Sequence, residues 1–180
     1  MSFHHVAVAT RDVVATHDFY TRAMGFDLLK ADAIQTPNGG WARHFFYDTH
    51  GHGMLAIWDI HDDAEVPDEF DPALSRGLGL PAWVNHLAFD AGDLDGLAEH
   101  RRRLLDYGLG VAEIDHGWCT SIYVEDPNGT MVEFCATTSA FTSADRDDAA
   151  RTLAATEQPP LLPDPPVIIH EPDKEDAVAG

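Results

Sequence analysis

FFYDTHGHGMLAI at 45–57 returns in altered form as SIYVEDPNGTMVEF at 121–134. With a constant offset of 76, Tyr47 falls on Tyr123, Gly53 on Gly129 and Ile57 on Glu133. Each stretch reads as two strands around a glycine-containing turn. Working outward, FHHVAVA (3–9) and VNHLAFD (84–90) overlay with His5 on His86. A helical pattern follows each. In 11–24, Val13, Val14, Phe19, Tyr20 and Met24 fall roughly on one face and Gly25 ends the pattern; 93–108 ends at Gly108. Three strand-like runs then complete each half, at 26–31, 41–48 and 54–60, and at 110–116, 119–126 and 129–137. The order β-α-β-β-β occurs twice. The expected fold is α+β: tandem βαβββ modules forming a cupped eight-stranded mixed sheet with helices outside. The modules span 1–60 and 82–137, joined by an acidic linker at 61–81, in one domain of 1–137. Residues 138–180 form a helical and Pro-rich acidic tail, with Ser143 or Asp145 near the helix N-cap.

The 180-residue chain carries 11 Lys+Arg against 31 Asp+Glu, a net charge of −20. Such a charge repels phosphate backbones and anionic lipid, so neither nucleic acid nor a membrane surface is an expected partner. No apolar run approaches the ~20 residues of a membrane span. The N-terminus shows no basic n-region or cleavage signal, and two cysteines, Cys119 and Cys135, make no disulfide framework. The expectation is a cytoplasmic protein. Much of the acidity is peripheral: 61–80 holds six acids and one base, and 138–180 nine acids and three bases.

Eleven histidines stand out. His5, His86 and Glu133 each lie inside an expected strand, where an ionisable group needs a partner or a metal. His5 and His86 are related by the repeat, and Glu133 lies on the closing strand of the second module. Two neutral imidazoles and a carboxylate make a facial triad that leaves coordination positions open on a divalent metal. His4 competes with His5, since alternation turns only one of them inward, and the overlay selects His5. Tyr123 lies on a strand beside this set, where its phenol can donate to an anionic oxygen. His116, at a strand mouth, can shuttle a proton.

The tandem modules with His5, His86 and Glu133 resemble the vicinal oxygen chelate superfamily over about residues 2–137. It includes glyoxalases, type I extradiol dioxygenases, fosfomycin-resistance enzymes and bleomycin-binding proteins. Within it, His116, Ile122-Tyr123, the Asp126-Pro127-Asn128-Gly129 turn and Glu133 resemble the extradiol ring-cleavage signature. That resemblance implies a metal site at His5, His86 and Glu133 holding Fe(II), with Mn(II) or another divalent ion as the alternative. It implies a small aromatic vicinal diol and O2 as substrates, with His116 and Tyr123 as catalytic groups, and a homodimer.

Two departures stand against it. Extradiol enzymes of this type usually carry four modules. They also carry a further histidine near the second hairpin of the first metal-binding module, where His44, His50 and His52 lie nearby and His52 is the candidate. Ile57, overlaid on Glu133, cannot serve as the second carboxylate of glyoxalase-type isomerases. A fosfomycin-type transferase shares the triad but needs cationic groups around a phosphonate, and this chain has only 11 Lys+Arg. A binding protein that sequesters a drug without catalysis is the third reading; such relatives typically lack the triad.

Overall fold

The computed structural model describes residues 3–173. Strand β1 (His5–Thr10) leads into helix α1 (Val13–Asp18), which continues as a π-helical turn over Phe19–Ala23. Asp12 caps α1 by accepting from the Ala15 amide. Gly25, at φ 78°, ends the segment. Strands β2 (Asp27–Gln35), β3 (Trp41–Asp48) and β4 (Met54–His61) complete the first sheet, in spatial order β1-β4-β3-β2. The second half repeats this with β5 (His86–Asp90), α2 (Leu94–Asp106), β6 (Val111–Asp115), β7 (Cys119–Glu125) and β8 (Met131–Thr137). In both halves the first strand runs parallel to the fourth and the remaining pairs are antiparallel.

The structure adds an element to the expected eight strands. After helix α3 (Ser143–Ala154), β9 (Val167–His170) pairs antiparallel with β6, so the second sheet has five strands in the order β5-β8-β7-β6-β9. The cap of α3 is Thr142, one residue before the expected pair, and Asp145 closes a reciprocal capping box with it.

The register corrects the repeat. In the first sheet His5 pairs with Met54, and Ala56 with Ala7 and Phe46. In the second, His86 pairs with Met131, and Glu133 with Ala88 and Tyr123. The closing hairpins therefore superpose with an offset of 77, not 76. Ala56, rather than Ile57, is the counterpart of Glu133, and Phe46, rather than Tyr47, that of Tyr123. One residue of slip changes the face. Tyr47 belongs to the helix-covered face, fully buried, and shares a 3.0 Å hydrogen bond with His17 of α1.

The modules pack through their helical sides. One core cluster joins Tyr20, Phe26 and Leu55 of the first to Leu104, Ile122 and Phe134 of the second. Phe26 lies edge-on to Phe89 at 4.9 Å between centroids. A buried polar lock crosses the same boundary. Tyr20 donates to Asp126 Oδ2 at 2.9 Å, Asn128 donates to Thr16 at 3.0 Å, and Thr10 donates to Asn128 Oδ1 at 2.8 Å. The Asp126–Gly129 turn thus fastens one module to the other. Burial pushes the Asp126 carboxyl above its ordinary value against four hydrogen bonds that hold it down. Among the described residues no helix is long and apolar enough to cross a membrane.

Candidate functional site

Alternation and register define the face of the second sheet turned away from α2. Glu133, Tyr123, Ala88, Ser121 and Cys135 share it, while Phe134 on the opposite face stacks on His100 of α2 at 3.7 Å. On the first face His86 Nε2 stands 3.0 Å from Glu133 Oε2. His86 Nδ1 lies 3.1 Å from the carbonyl oxygen of Trp83. A carbonyl only accepts, so Nδ1 carries the proton and aims Nε2 at the carboxylate. This is the arrangement of a metal-binding imidazole fixed from behind. Two acceptors facing each other at this distance need a proton or a cation between them.

Tyr123 and His116 join this pair. The phenol oxygen and His116 Nε2 share a 2.9 Å hydrogen bond, and the Tyr123 ring lies 6.3 Å from that of His86. Burial pushes the phenol up to about 12, with the Glu133 carboxylate adding to the rise and the Ser121 hydroxyl opposing it. The phenol therefore stays protonated at neutral pH and is a donor. Glu133 itself is buried, 6% exposed.

His5 occupies the equivalent face of the first sheet. Its neighbours are His4, with 2.8 Å between the Nδ1 atoms, and the rings of Phe46 at 5.7 Å and His44 at 6.5 Å. His44 lies flat on Trp58 at 3.6 Å, and its buried Nε2 has no hydrogen-bond partner among the described residues. Burial and the nearby His5 hold the His44 imidazole below its ordinary value. The overlay by glycines missed this stack; alternation from His5 through the correct register finds it. His52 is exposed and lines a junction cavity of about 280 Å³ together with Phe3, Met54 and His86.

The second-module face thus brings together His86, Glu133, Tyr123 and His116, while His5 stands on the first-module face. Among the described residues no group of three or more His, Cys, Asp or Glu side chains is close enough to hold a metal ion. Among the described residues, then, His86 and Glu133 face each other as a pair of metal-capable donors, and His5 does not gather with them into one group.

Residues 2–134 match the family model described as the Glyoxalase/Bleomycin resistance protein/Dioxygenase superfamily. The chain belongs to this superfamily. No curated protein matches the chain. Solved structures share its fold. Lactoylglutathione lyase from Agrobacterium tumefaciens is 22% identical, with TM-score 0.50 over 75% of this chain and 92% of that one. TnmS3, an antibiotic binding protein from Streptomyces sp. CB03234, is 19% identical, with TM-score 0.51 over 77% and 97%. A glyoxylase/bleomycin resistance protein/dioxygenase domain from Frankia sp. EAN1pec is 16% identical, with TM-score 0.51 over 74% and 94%. The superfamily member described here therefore shares its architecture with a lyase and with a binding protein alike.

Proposed function

We propose that this superfamily member is a metal-dependent dioxygenase that opens the ring of a small aromatic vicinal diol beside its two hydroxyls, consuming O2. The observation that supports this reading is the His116–Tyr123 hydrogen bond on the same face as the His86–Glu133 pair. A glyoxalase-type isomerase would carry a second carboxylate at the counterpart of Glu133, and Ala56 stands at that position. The metal set is His86 and Glu133 of one copy with His5 of a second copy, whose first-module face meets this second-module face in a homodimer. Ferrous iron, or else manganese or another divalent ion, would supply Lewis acidity toward both diol oxygens and a route for electrons to O2.

The chain's own residues do the rest. Tyr123, held protonated, donates to an anionic oxygen of the diol and fixes its orientation. His116, hydrogen-bonded to that phenol, moves a proton between the substrate and the oxygen being cleaved. His52, at the junction cavity beside His86, is a further polar group at the site's margin. The product is a ring-opened semialdehyde containing both atoms of O2.

The test is oxygen uptake by protein loaded anaerobically with Fe(II) and then mixed with air-saturated catechols. Stoichiometric uptake with a yellow product is expected; no uptake across a broad catechol panel would overturn the assignment. A drug-binding role without catalysis is the second reading, favoured by the finding that among the described residues no three His, Cys, Asp or Glu side chains gather into a group able to hold a metal ion. It predicts protein that neither retains nor takes up a divalent metal.

A further inference from the structure

The fifth strand of the second sheet lies beyond the segment matched by the family model, yet it reaches the candidate site. Ile169 pairs with Ala112, Ala112 with Tyr123, Tyr123 with Glu133, and Glu133 with Ala88. These five residues form one row across all five strands, on one face. Val167 pairs with Ile114 and Ile114 with Ser121 in the next row of that face. From one edge to the other the face passes from Val167, Ile169, Ile114 and Ala112 to Tyr123, Glu133 and His86. Strands lie about 4.8 Å apart, so Ile169 stands about 10 Å from Tyr123, with only the methyl of Ala112 between them. That span suits one aromatic ring and a short branched substituent.

The strand is fastened from behind. His170, on the opposite face, lies 3.0 Å from Glu113, and Arg101 of α2 pairs with the same carboxylate. Within one copy, and among the described residues, all three apolar side chains of the strand are left uncovered: Val167 and Ile169 toward the site, at 54% and 58% exposed, and Ile168 on the other face at 54%. An apolar edge strand in this state calls for an occupant. Because the site-facing pair continues the row of Tyr123 and Glu133, where the proposed diol sits, the substrate is the occupant that suits it.

We infer that β9 completes the substrate pocket, with Ile169 and Val167 as the specificity wall for an apolar ring substituent pointing away from the diol. This rests on the proposed diol chemistry, and the test separates the two. Four probes, catechol, 4-tert-butylcatechol, phenol and 4-tert-butylphenol, are titrated calorimetrically into anaerobic Fe(II)-loaded protein. Wild type, Ile169→Ser, Val167→Ser and the double variant are compared. Wild type is expected to bind each tert-butyl probe about tenfold tighter than its parent, the gain from burying a few methyl groups. The double variant is expected to bring that ratio near one while its affinity for catechol stays within about twofold, with each single variant intermediate. An unchanged ratio in the double variant, or no preference in wild type, overturns the wall. If the tert-butyl preference holds and is lost in the variants, but the diols bind no tighter than the phenols, the wall stands and the diol chemistry fails. Binding of no probe by wild type overturns both. A change of oligomeric state in Ile169→Ser, read by sedimentation, overturns the wall as well, because the strip is then a contact between copies.

Discussion

Ala56 and Glu133 hold the same position in the two modules. Each lies on the fourth strand of its sheet, opposite an aromatic residue of the third, Phe46 or Tyr123, and an alanine of the first, Ala7 or Ala88. The repeat therefore carries one carboxylate, not two, and its chemistry is asymmetric. Glu133→Gln is expected to lose at least about 100-fold in divalent-metal affinity, since a ligand contributes more than the outer partners whose loss costs 10–100-fold. Ala56→Ser should leave affinity unchanged. Metal titration of the two variants, with melting temperature as the fold control, checks this.

In the proposed reaction Tyr123 and His116 act on the substrate rather than on the metal. Tyr123→Phe and His116→Asn are each expected to lower kcat by about 10²–10⁴, the usual range for a positioned proton donor or acceptor. Metal content should stay at the wild-type level. Steady-state oxygen uptake alongside elemental analysis separates the two effects, and loss of metal in either variant would contradict these roles.

The lock between modules has a measurable worth. Tyr20 is fully buried, and its hydroxyl donates to Asp126, itself buried. Tyr20→Phe removes that donor and leaves the carboxylate short of a partner, at a cost of about 1–3 kcal/mol. Urea unfolding should show the lower midpoint with an unchanged slope.

His100 gives the fold a pH dependence of defined sign. Burial beneath Phe134, with Arg103 adjacent, holds its imidazole down to about 4 from an ordinary 6.5. Arg103 donates to its Nδ1, which only the neutral ring accepts. Between these values the unfolded chain binds a proton that the folded chain refuses, so this contribution is intact above about pH 6.5 and is lost as pH falls toward 4. The thermal stability of His100→Gln should fall less steeply than that of wild type across this window and run parallel above pH 7. Parallel curves throughout would contradict the shift.

Much of this was legible in the sequence because periodicity and turns carry it. Two βαβββ units follow from apolar spacing and glycine stops, and their first strands superpose at His5 and His86 in the register as in the overlay. The closing hairpin was misread by one residue because Gly53 and Gly129 look alike. They sit differently: the chain folds Gly53 at φ 141° and Gly129 at φ 78° within turns of equal length. Matching glycines therefore shifted Tyr47 onto Tyr123 and hid the His44–Trp58 stack. The strand Val167–His170 escaped because VIIH amid prolines has no period of its own; only the free edge of β6 makes it a strand. Nor does local pattern reveal that, among the described residues, His5 does not gather with His86 and Glu133 into one metal-holding group.

The central claim is that a metal site forms from His86 and Glu133 of one copy with His5 of another. The most direct measurement is the metal content of protein made by co-expressing His5→Ala and Glu133→Ala chains. Each variant alone should bind no metal. The mixed preparation should bind about a quarter of the wild-type amount, because half of randomly paired dimers are mixed and each mixed dimer keeps one intact site. Metal content no higher than in either variant alone would contradict the account.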